Sequence, residues 1–422
     1  MNKLPAKNRK KICRYAAVCA NALLLVLLTL LGNSFVTDKN ETGTLMKRLD
    51  VARRIVSENL LGNEPLTPGR YAADFFPVNI GYDREMVTAT DEFGIPVGQR
   101  PVVSRAALAR FLQALDGVPY RSIIVDVQFY KSDAGEADSA LFAAINTMPR
   151  VVVSANDDDD AEDTILPSRL ASSEYNTSFS EGNFVKYRYH HGAVPDIALA
   201  TYNLRNNGTV SLDGAFPTDR GRLASGTLAL WMPYHVEAAY DADGEKTYYN
   251  LGADLLDVYT PAELAGLVKG KTVVIGDYSG GDDHDTYTGT VSGPVILINA
   301  VIALEQHRHL INWWWMAIFF AVYVLLTLML VYDPARLLPG RLGKSKVWNF
   351  IVTAVSFGTV ILALNVVMYL CTGVIYDLYL PTLWLTALYF IKDNLGAIRH
   401  RLLRAAVVIR RKFRKHKTRP HE

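Results

Sequence analysis

Four long apolar runs punctuate an otherwise mixed sequence. The first extends from about Tyr15 to Val36 and is leucine-rich at its centre, with Leu23, Leu24, Leu25, Leu27, Leu28, Leu30 and Leu31. The second covers Trp313 to about Tyr332 and opens on Trp313, Trp314 and Trp315, residues suited to a membrane–water interface. The third covers Trp348 to Cys371, and the fourth about Ile375 to Ile391. A bilayer-crossing helix needs roughly 20 apolar residues. The first three runs reach that length; the fourth is shorter and contains Asp377 and Pro381. Thr372-Gly373 supplies a tight turn between the last two runs.

Between the first and second runs the pattern changes to that of a globular α/β domain. Leu45, Leu49, Ala52, Ile55 and Val56 recur at helical spacing and predict a juxtamembrane helix. Phe76 to Tyr82 reads as a strand ending at Asp83, and Ser122 to Phe129 as a buried strand. Arg150 to Ser154 is a third strand, and Lys271 to Gly276 another. Ser104 is placed to cap a helix through Ala107, Leu108, Phe111, Leu112 and Leu115. Asp138 to Ile145 is a helix, and Pro294 to His307 predicts one that runs straight into the second apolar run. Strands alternating with helices imply a largely parallel or mixed sheet flanked by helices. Asn156 to Asp163 is an acidic loop and Asp241 to Gly244 a hairpin turn; no period of 20–50 residues repeats.

Composition narrows the class. The chain has 422 residues, 50% hydrophobic and 20% charged, which excludes disordered and collagen-like structure. Its three cysteines, Cys13, Cys19 and Cys371, all lie in or beside apolar runs. The stretch from Val36 to Trp313 is therefore neither a disulfide framework nor a Cys-ligated zinc module.

The net charge of +2 conceals a partition. Residues 1–14 carry +6, residues 333–347 carry +3 and residues 392–422 carry +9, which leaves −16, nearly all of it between the first two apolar runs. Basic segments stay on the cytoplasmic side. One orientation satisfies all three: residues 1–14 inside, a span over 15–36, residues 37–312 outside, a span over 313–332, the 333–347 loop inside, spans over 348–371 and 375–391, and the 392–422 tail inside. A rival reading makes the first run a cleaved signal peptide. Its length exceeds the usual apolar signal core of about 7–15 residues, so an uncleaved anchor is expected.

Four blocks of the middle region carry a family likeness. They are Val78-Asn-Ile-Gly-Tyr-Asp83 followed by Pro101 to Arg105; Ile124-Val-Asp126 through Phe129, then Asp133 and Asp138; His191-Gly-Ala-Val-Pro195 entering the helix Asp196 to Leu204; and Lys269-Gly-Lys-Thr-Val-Val-Ile-Gly276, then Asp282-Asp-His-Asp285, Gly293 and Asn299-Ala300. Their order and character over residues 45–310 resemble CHASE2, the extracytoplasmic sensory domain of bacterial membrane receptors. The layout of one helix before the domain and three after it is similar too. The resemblance implies a multi-pass protein of the bacterial cytoplasmic membrane. Relatives usually continue into a cyclase, a kinase or another output domain. Here a basic tail of about thirty residues follows the last apolar run, so the expectation is a separate output protein as partner.

Ligands of parallel α/β sheets favour the crevice at the carboxyl ends of the strands. Asp83, Asp126, Gln128 and the loop from Asp277 to Asp285 converge on that edge, and within the loop Asp283 and His284 suit a cation or a polar small molecule. The competing reading is structural, with Asp126 capping a helix and the acidic loop merely solvated. Asp157 to Asp160 lack the glycine and terminal glutamate of an EF-hand loop. His190-His191 suits a surface or structural role. Neither a G-x-S-x-G elbow nor a G-x-x-x-x-G-K-[ST] loop occurs. The tail interleaves Leu395, Ile398, Leu402, Leu403, Val407 and Ile409 with Arg399, Arg401, Arg404, Arg410, Arg411 and Lys412, a basic amphipathic pattern suited to anionic membrane lipid rather than nucleic acid. These readings favour a non-enzymatic sensor module without cofactor or metal, alone or as a homodimer, that passes an extracytoplasmic signal to its partner. The alternatives are an envelope assembly protein that uses the domain for protein–protein contact and, less favoured, an envelope hydrolase.

Overall fold

Alternation inside the buried strands sorts side chains onto the two faces of one sheet. In the computed structural model the described residues are 6–35, 39–40, 48–49, 51–53, 73–91, 93–133, 135–155, 164–173, 183–184, 186–214, 216–230, 232–236, 246–332, 346–376, 378–392 and 394. The principal elements are α1 (Ala6–Phe35), β1 (Phe75–Asn79), β2 (Arg84–Thr90), β3 (Pro96–Val103), α2 (Arg105–Ala114), β4 (Ser122–Val125), α3 (Asp138–Thr147), β5 (Val151–Ala155), β6 (Leu170–Ser172), α4 (Ile197–Arg205), β7 (Tyr249–Asn250), α5 (Pro261–Val268), β8 (Thr272–Gly276), β9 (Asp283–Thr286), β10 (Gly289–Ser292), α6 (Gly293–Glu305), α7 (Trp313–Tyr332) and α8 (Lys346–Thr372).

Six strands form one sheet in the order β7-β1-β8-β4-β5-β6, and every neighbouring pair is parallel. Phe76, Val78, Ile123, Val125, Val151, Val153, Val273 and Ile275 face a core shared with Leu108 and Phe111 of α2, Leu141 and Phe142 of α3, and Leu264 and Val268 of α5. Their neighbours Phe75, Ile124, Val152 and Val274 turn to the other face, against Ile197 and Tyr202 of α4 and Val295 and Ile298 of α6. A sheet buried on both faces has continuous apolar strands, as these are. The result is three layers, helices over sheet over helices.

The helix starts follow from local chemistry. Ser104 caps α2 by accepting from Ala107 N at 3.4 Å, Asp196 caps α4 by accepting from Ala198 N at 2.9 Å, and Thr260 with Glu263 forms a capping box on α5. Every residue of α6 from Gly293 to Leu304 is buried, which explains an apolar pattern all round a helix of only 13 residues.

The expected continuous helix from Pro294 into the second apolar run does not form. Helix α6 stops at Glu305, where His307 adopts a φ of 56°. Arg308 N donates to Ala303 O at 3.1 Å and His307 N to Leu304 O at 2.8 Å, closing a Schellman turn. The chain then pairs Ile311 N with Leu223 O at 3.0 Å before α7 begins at Trp313.

Residues 34–311 and 368–375 make up the α/β unit; the long apolar helices make up a second. Among the described residues three helices are long and apolar enough to cross a membrane, within Lys11–Gly32, Trp313–Val331 and Val355–Thr372. Residues 379–392, within the expected fourth apolar run, are helical as well. Polar side chains tie these helices together: Thr29 and Tyr323 hydroxyls lie 2.7 Å apart, Asn21 Nδ2 donates to Thr327 Oγ1 at 2.9 Å, and Trp384 Nε1 donates to Asn21 Oδ1 at 2.9 Å. Such bonds add specificity where apolar surfaces alone discriminate poorly. The expected turn at Thr372-Gly373 is present, with Gly373 at a φ of 72°. Asp377, the acidic loop, the 241–244 turn, residues 333–345 of the basic loop and most of the basic tail lie outside the described residues, as does most of the juxtamembrane segment, of which 48–49 and 51–53 are helical.

Candidate functional site

The carboxyl ends of β1 and β8 are locked by one buried asparagine. Asn79 Oδ1 accepts from Tyr278 N at 2.9 Å and Gly81 N at 3.1 Å, while its Nδ2 donates to Asn250 Oδ1 at 2.8 Å. Three neighbouring strand ends, β7, β1 and β8, are thereby held in register at the edge where a ligand would sit. Arg84 reinforces the edge, donating to Gly81 O at 3.0 Å and to Asp277 Oδ2 at 3.0 Å.

Beside this edge opens a cleft of about 500 Å³, lined by Tyr82, His235, Val236, Tyr248, Tyr278, Ser279, Gly280, Asp283 and four residues of the β9–β10 hairpin region, Thr288, Thr290, Val291 and Ser292. The Tyr248 and Tyr278 rings stack, with centroids 5.6 Å apart and planes 20° apart. Hydroxyls and one exposed carboxylate suit a small polar molecule. Gly280, at a φ of 104°, gives the loop after β8 a conformation that side-chain-bearing residues rarely adopt.

On the other side of the hairpin is a second polar group. His284 follows Asp283 in an extended strand, so the two side chains leave opposite faces. His284 Nε2 lies 3.1 Å from Asp282 Oδ1. Asp126, at the end of β4, is pushed up to about 7 by burial and by the Asp282 carboxylate, with His284 opposing the shift. Its Oδ2 is sealed from solvent and meets no hydrogen-bond donor among the described residues. Asp196 is likewise raised to about 7 by burial, against the hydrogen bonds it accepts from Tyr187 and from the first turn of α4.

Both carboxyls give stability a pH dependence of definite sign. Between the ordinary carboxylate value and about 7, the folded domain holds protons that the unfolded chain has released. Stability is therefore full at low pH and is lost as pH rises through about 7, with a slope of at most about 1.4 kcal/mol per pH unit for each group. Measured against Asp126→Asn, so that the opposing contribution of the buried His309 cancels, the melting temperature of the wild-type chain should fall between about pH 4 and about pH 7. A difference between the two proteins that rises over this range would contradict the assignment.

The structure divides the residues expected from sequence. Asp283 lines the cleft, whereas His284 and Asp126 belong to the polar group behind the hairpin. Asp277 is occupied by Arg84 and by Ser279, whose N and Oγ donate to its Oδ1 at 2.8 Å and 2.6 Å. Asp83 braces the turn after β7, accepting from Gly252 N at 3.0 Å. Gln128 donates to Ser173 Oγ at 3.3 Å and accepts from the Tyr130 hydroxyl. Sequence reasoning did not single out Tyr248, Tyr278 or Asn79. Asn79 had a signal, since it is the one polar residue in the run from Phe75 to Ile80.

The chain thus combines a parallel α/β domain that has a polar cleft at its strand ends with helices long and apolar enough to cross a membrane. A family model for the CHASE2 domain matches residues 64–332, and the chain belongs to the CHASE2 family, a family of sensory domains. The match continues past the α/β unit through α7. CHASE2 domains are typically extracytoplasmic. No curated protein matches the chain, and no solved structure does.

Proposed function

We propose that this protein is a membrane-anchored sensor that takes up a small polar molecule outside the cytoplasmic membrane and reports it to a separate output protein. The observation that carries the reading is the path from cleft to helix. Thr290, Val291 and Ser292 line the cleft, and Gly293, the next residue, starts α6. A ligand touching β10 therefore touches the first turn of a fully buried helix, whose far end precedes α7 by a few residues. A ligand shifts such a helix only by binding one of its positions better than another, with the difference in affinity setting the size of the shift.

The charge partition supports the orientation, with the acidic α/β domain outside and all three basic segments inside. The reading assigns binding rather than turnover to the cleft and needs no cofactor. The basic tail is left for lipid and for the output partner.

The test fills the cleft from a tolerant position. Thr290 is exposed and lies in a strand, where an aromatic side chain is accommodated well. Polar small molecules are screened by thermal shift against the purified full chain and its Thr290→Trp variant. The expected result is a saturable rise in melting temperature in the wild type that Thr290→Trp abolishes while keeping its own fold. A compound that stabilises both proteins equally would place the ligand elsewhere.

A further inference from the structure

The turn after α6 brings three side chains of another kind together. His309 Nε2 lies 3.0 Å from Asp219 Oδ2, and His307 Nδ1 lies 3.8 Å from the same oxygen. One ligand atom from each residue falls within 4.8 Å of the others. We propose that Asp219, His307 and His309 form a binding site for a divalent ion of the zinc type, which ties the turn after α6 to the short antiparallel pair Thr218–Asp219 and Arg222–Leu223.

Geometry separates this reading from a plain hydrogen-bonded pair. Asp219 and His309 alone would be explained by their 3.0 Å contact. His307 adds a second imidazole at 3.8 Å, too long for a hydrogen bond. In a tetrahedral site with bonds of about 2.0–2.1 Å, neighbouring ligand atoms lie about 3.3 Å apart. The observed 3.0 Å and 3.8 Å bracket that edge for two of the three pairs, and the third, between the two imidazoles, lies within 4.8 Å, a spread that rotation of the half-exposed His307 side chain can close.

The surroundings are those of a built site. His309 is fully buried and Asp219 is 1% exposed. Asp219 Oδ1 and His309 Nδ1 are both buried without a hydrogen-bond partner among the described residues. The atoms an ion would bridge are the facing pair, Asp219 Oδ2 and His309 Nε2, and binding it would displace the proton they share. Tyr202 donates its hydroxyl to Asp219 Oδ2 at 3.0 Å, the kind of outer contact that orients a ligating carboxylate. The Tyr202 ring also meets His309 edge-on, with centroids 5.7 Å apart. His307 holds a left-handed φ of 56°, at the helix-closing position where glycine is the usual residue. Side-chain-bearing residues in that conformation cluster where a function requires them.

Two imidazoles and one carboxylate suit Zn²⁺ or Co²⁺ better than Mg²⁺ or Ca²⁺, which prefer oxygen ligands throughout. Three protein ligands leave a fourth position for water. The partly exposed His307 gives that position a route to solvent. The segments the ion would join already touch: Ser225 N donates to His309 O at 2.7 Å, and Ala224 forms a bridge with Leu310. Metal would lock the register of this turn, just ahead of Trp313 in the chain.

The experiment uses the full chain without a polyhistidine tag, purified in detergent and stripped with a chelator. Co²⁺ is titrated while its visible absorption is followed, and bound metal is counted by elemental analysis. One Co²⁺ per chain with a tetrahedral spectrum, displaced by Zn²⁺, is expected. His307→Ala, at an exposed position, should keep the melting temperature of the stripped protein yet lower affinity by at least about 100-fold, beyond the range that outer-shell partners carry. Asp219→Asn should lower affinity at least as far, and His284→Ala should leave the stoichiometry at one. Failure of the wild type to take up stoichiometric Co²⁺, or equal uptake by His307→Ala, would overturn the proposal.

Discussion

Asn299→Ala is expected to destabilise the α/β domain by about 2–4 kcal/mol, a large share of the roughly 5–15 kcal/mol that holds an ordinary domain folded. Asn299 is fully buried in α6, where an amide has no intrinsic reason to be. Its Oδ1 accepts from Tyr234 N at 3.0 Å, and its Nδ2 donates to Tyr234 O at 2.9 Å and to Val295 O at 2.8 Å. One side chain thus satisfies both backbone groups of a buried residue that lies outside any helix or strand. Alanine leaves an orphan N–H and an orphan C=O, each costing roughly 1–3 kcal/mol. Chemical unfolding of the full chain, followed at the α/β unit, reads the effect. A change below about 0.5 kcal/mol would mean that the Tyr234 segment finds other partners.

Gly276→Ala is the second large effect, and it links the strand end to the same helix. Gly276 ends β8 and packs where α6 begins. A methyl group there would lie within 3.0 Å of the Pro294 ring and 3.4 Å from Asp126 Cβ. A proline ring cannot swing aside as a long side chain can, so the strand or the first turn of α6 must move. Overpacking of this kind costs about 1–3 kcal/mol. Gly266 in α5 is the matched control, because an added Cβ there meets nothing within 4 Å. Gly266→Ala should stabilise by up to about 1 kcal/mol through helix propensity, so the same substitution carries opposite signs at the two sites. Equal effects at both glycines would contradict the close approach of β8 to α6.

The contrast between these glycines illustrates what the sequence can carry. The central strands β1, β4, β5 and β8 were legible because each is a short apolar run buried on both faces, and the alternating helices implied their parallel order. Ser104 was legible as a cap because its chemistry is local. The hairpin of β2 and β3 was not, since its exposed residues follow neither period. The edge strands β6 and β7, of three and two residues, exist only through pairing with a neighbour distant in sequence. The break after α6 was hidden because His307 in a left-handed conformation contradicts its own residue type.

The same division holds at the site. Strand-end topology brought Asp126, Asp283 and His284 to one edge, but adjacency in sequence suggested that Asp283 and His284 act together. Strand geometry sends them to opposite sides of the β9–β10 hairpin. Tyr248 and Tyr278 gave no signal because aromatic residues more often fill cores than line clefts. Asn299 and Gly276 stood out within the family-like closing block, yet only their neighbours in space, Tyr234 and Pro294, explain them.

Coupling between cleft and helix is tested most directly by hydrogen exchange along Gly293–Glu305 in the full chain. The measurement compares the protein alone with the protein saturated by the compound that most raises its melting temperature. Slower exchange is predicted in the first turns of α6 and in the turn at His307, with α3 on the opposite face unchanged and with no effect in Thr290→Trp. Protection confined to the β9–β10 hairpin, with α6 exchanging at the same rate in both states, would show that a ligand can occupy the cleft without being reported to the helix.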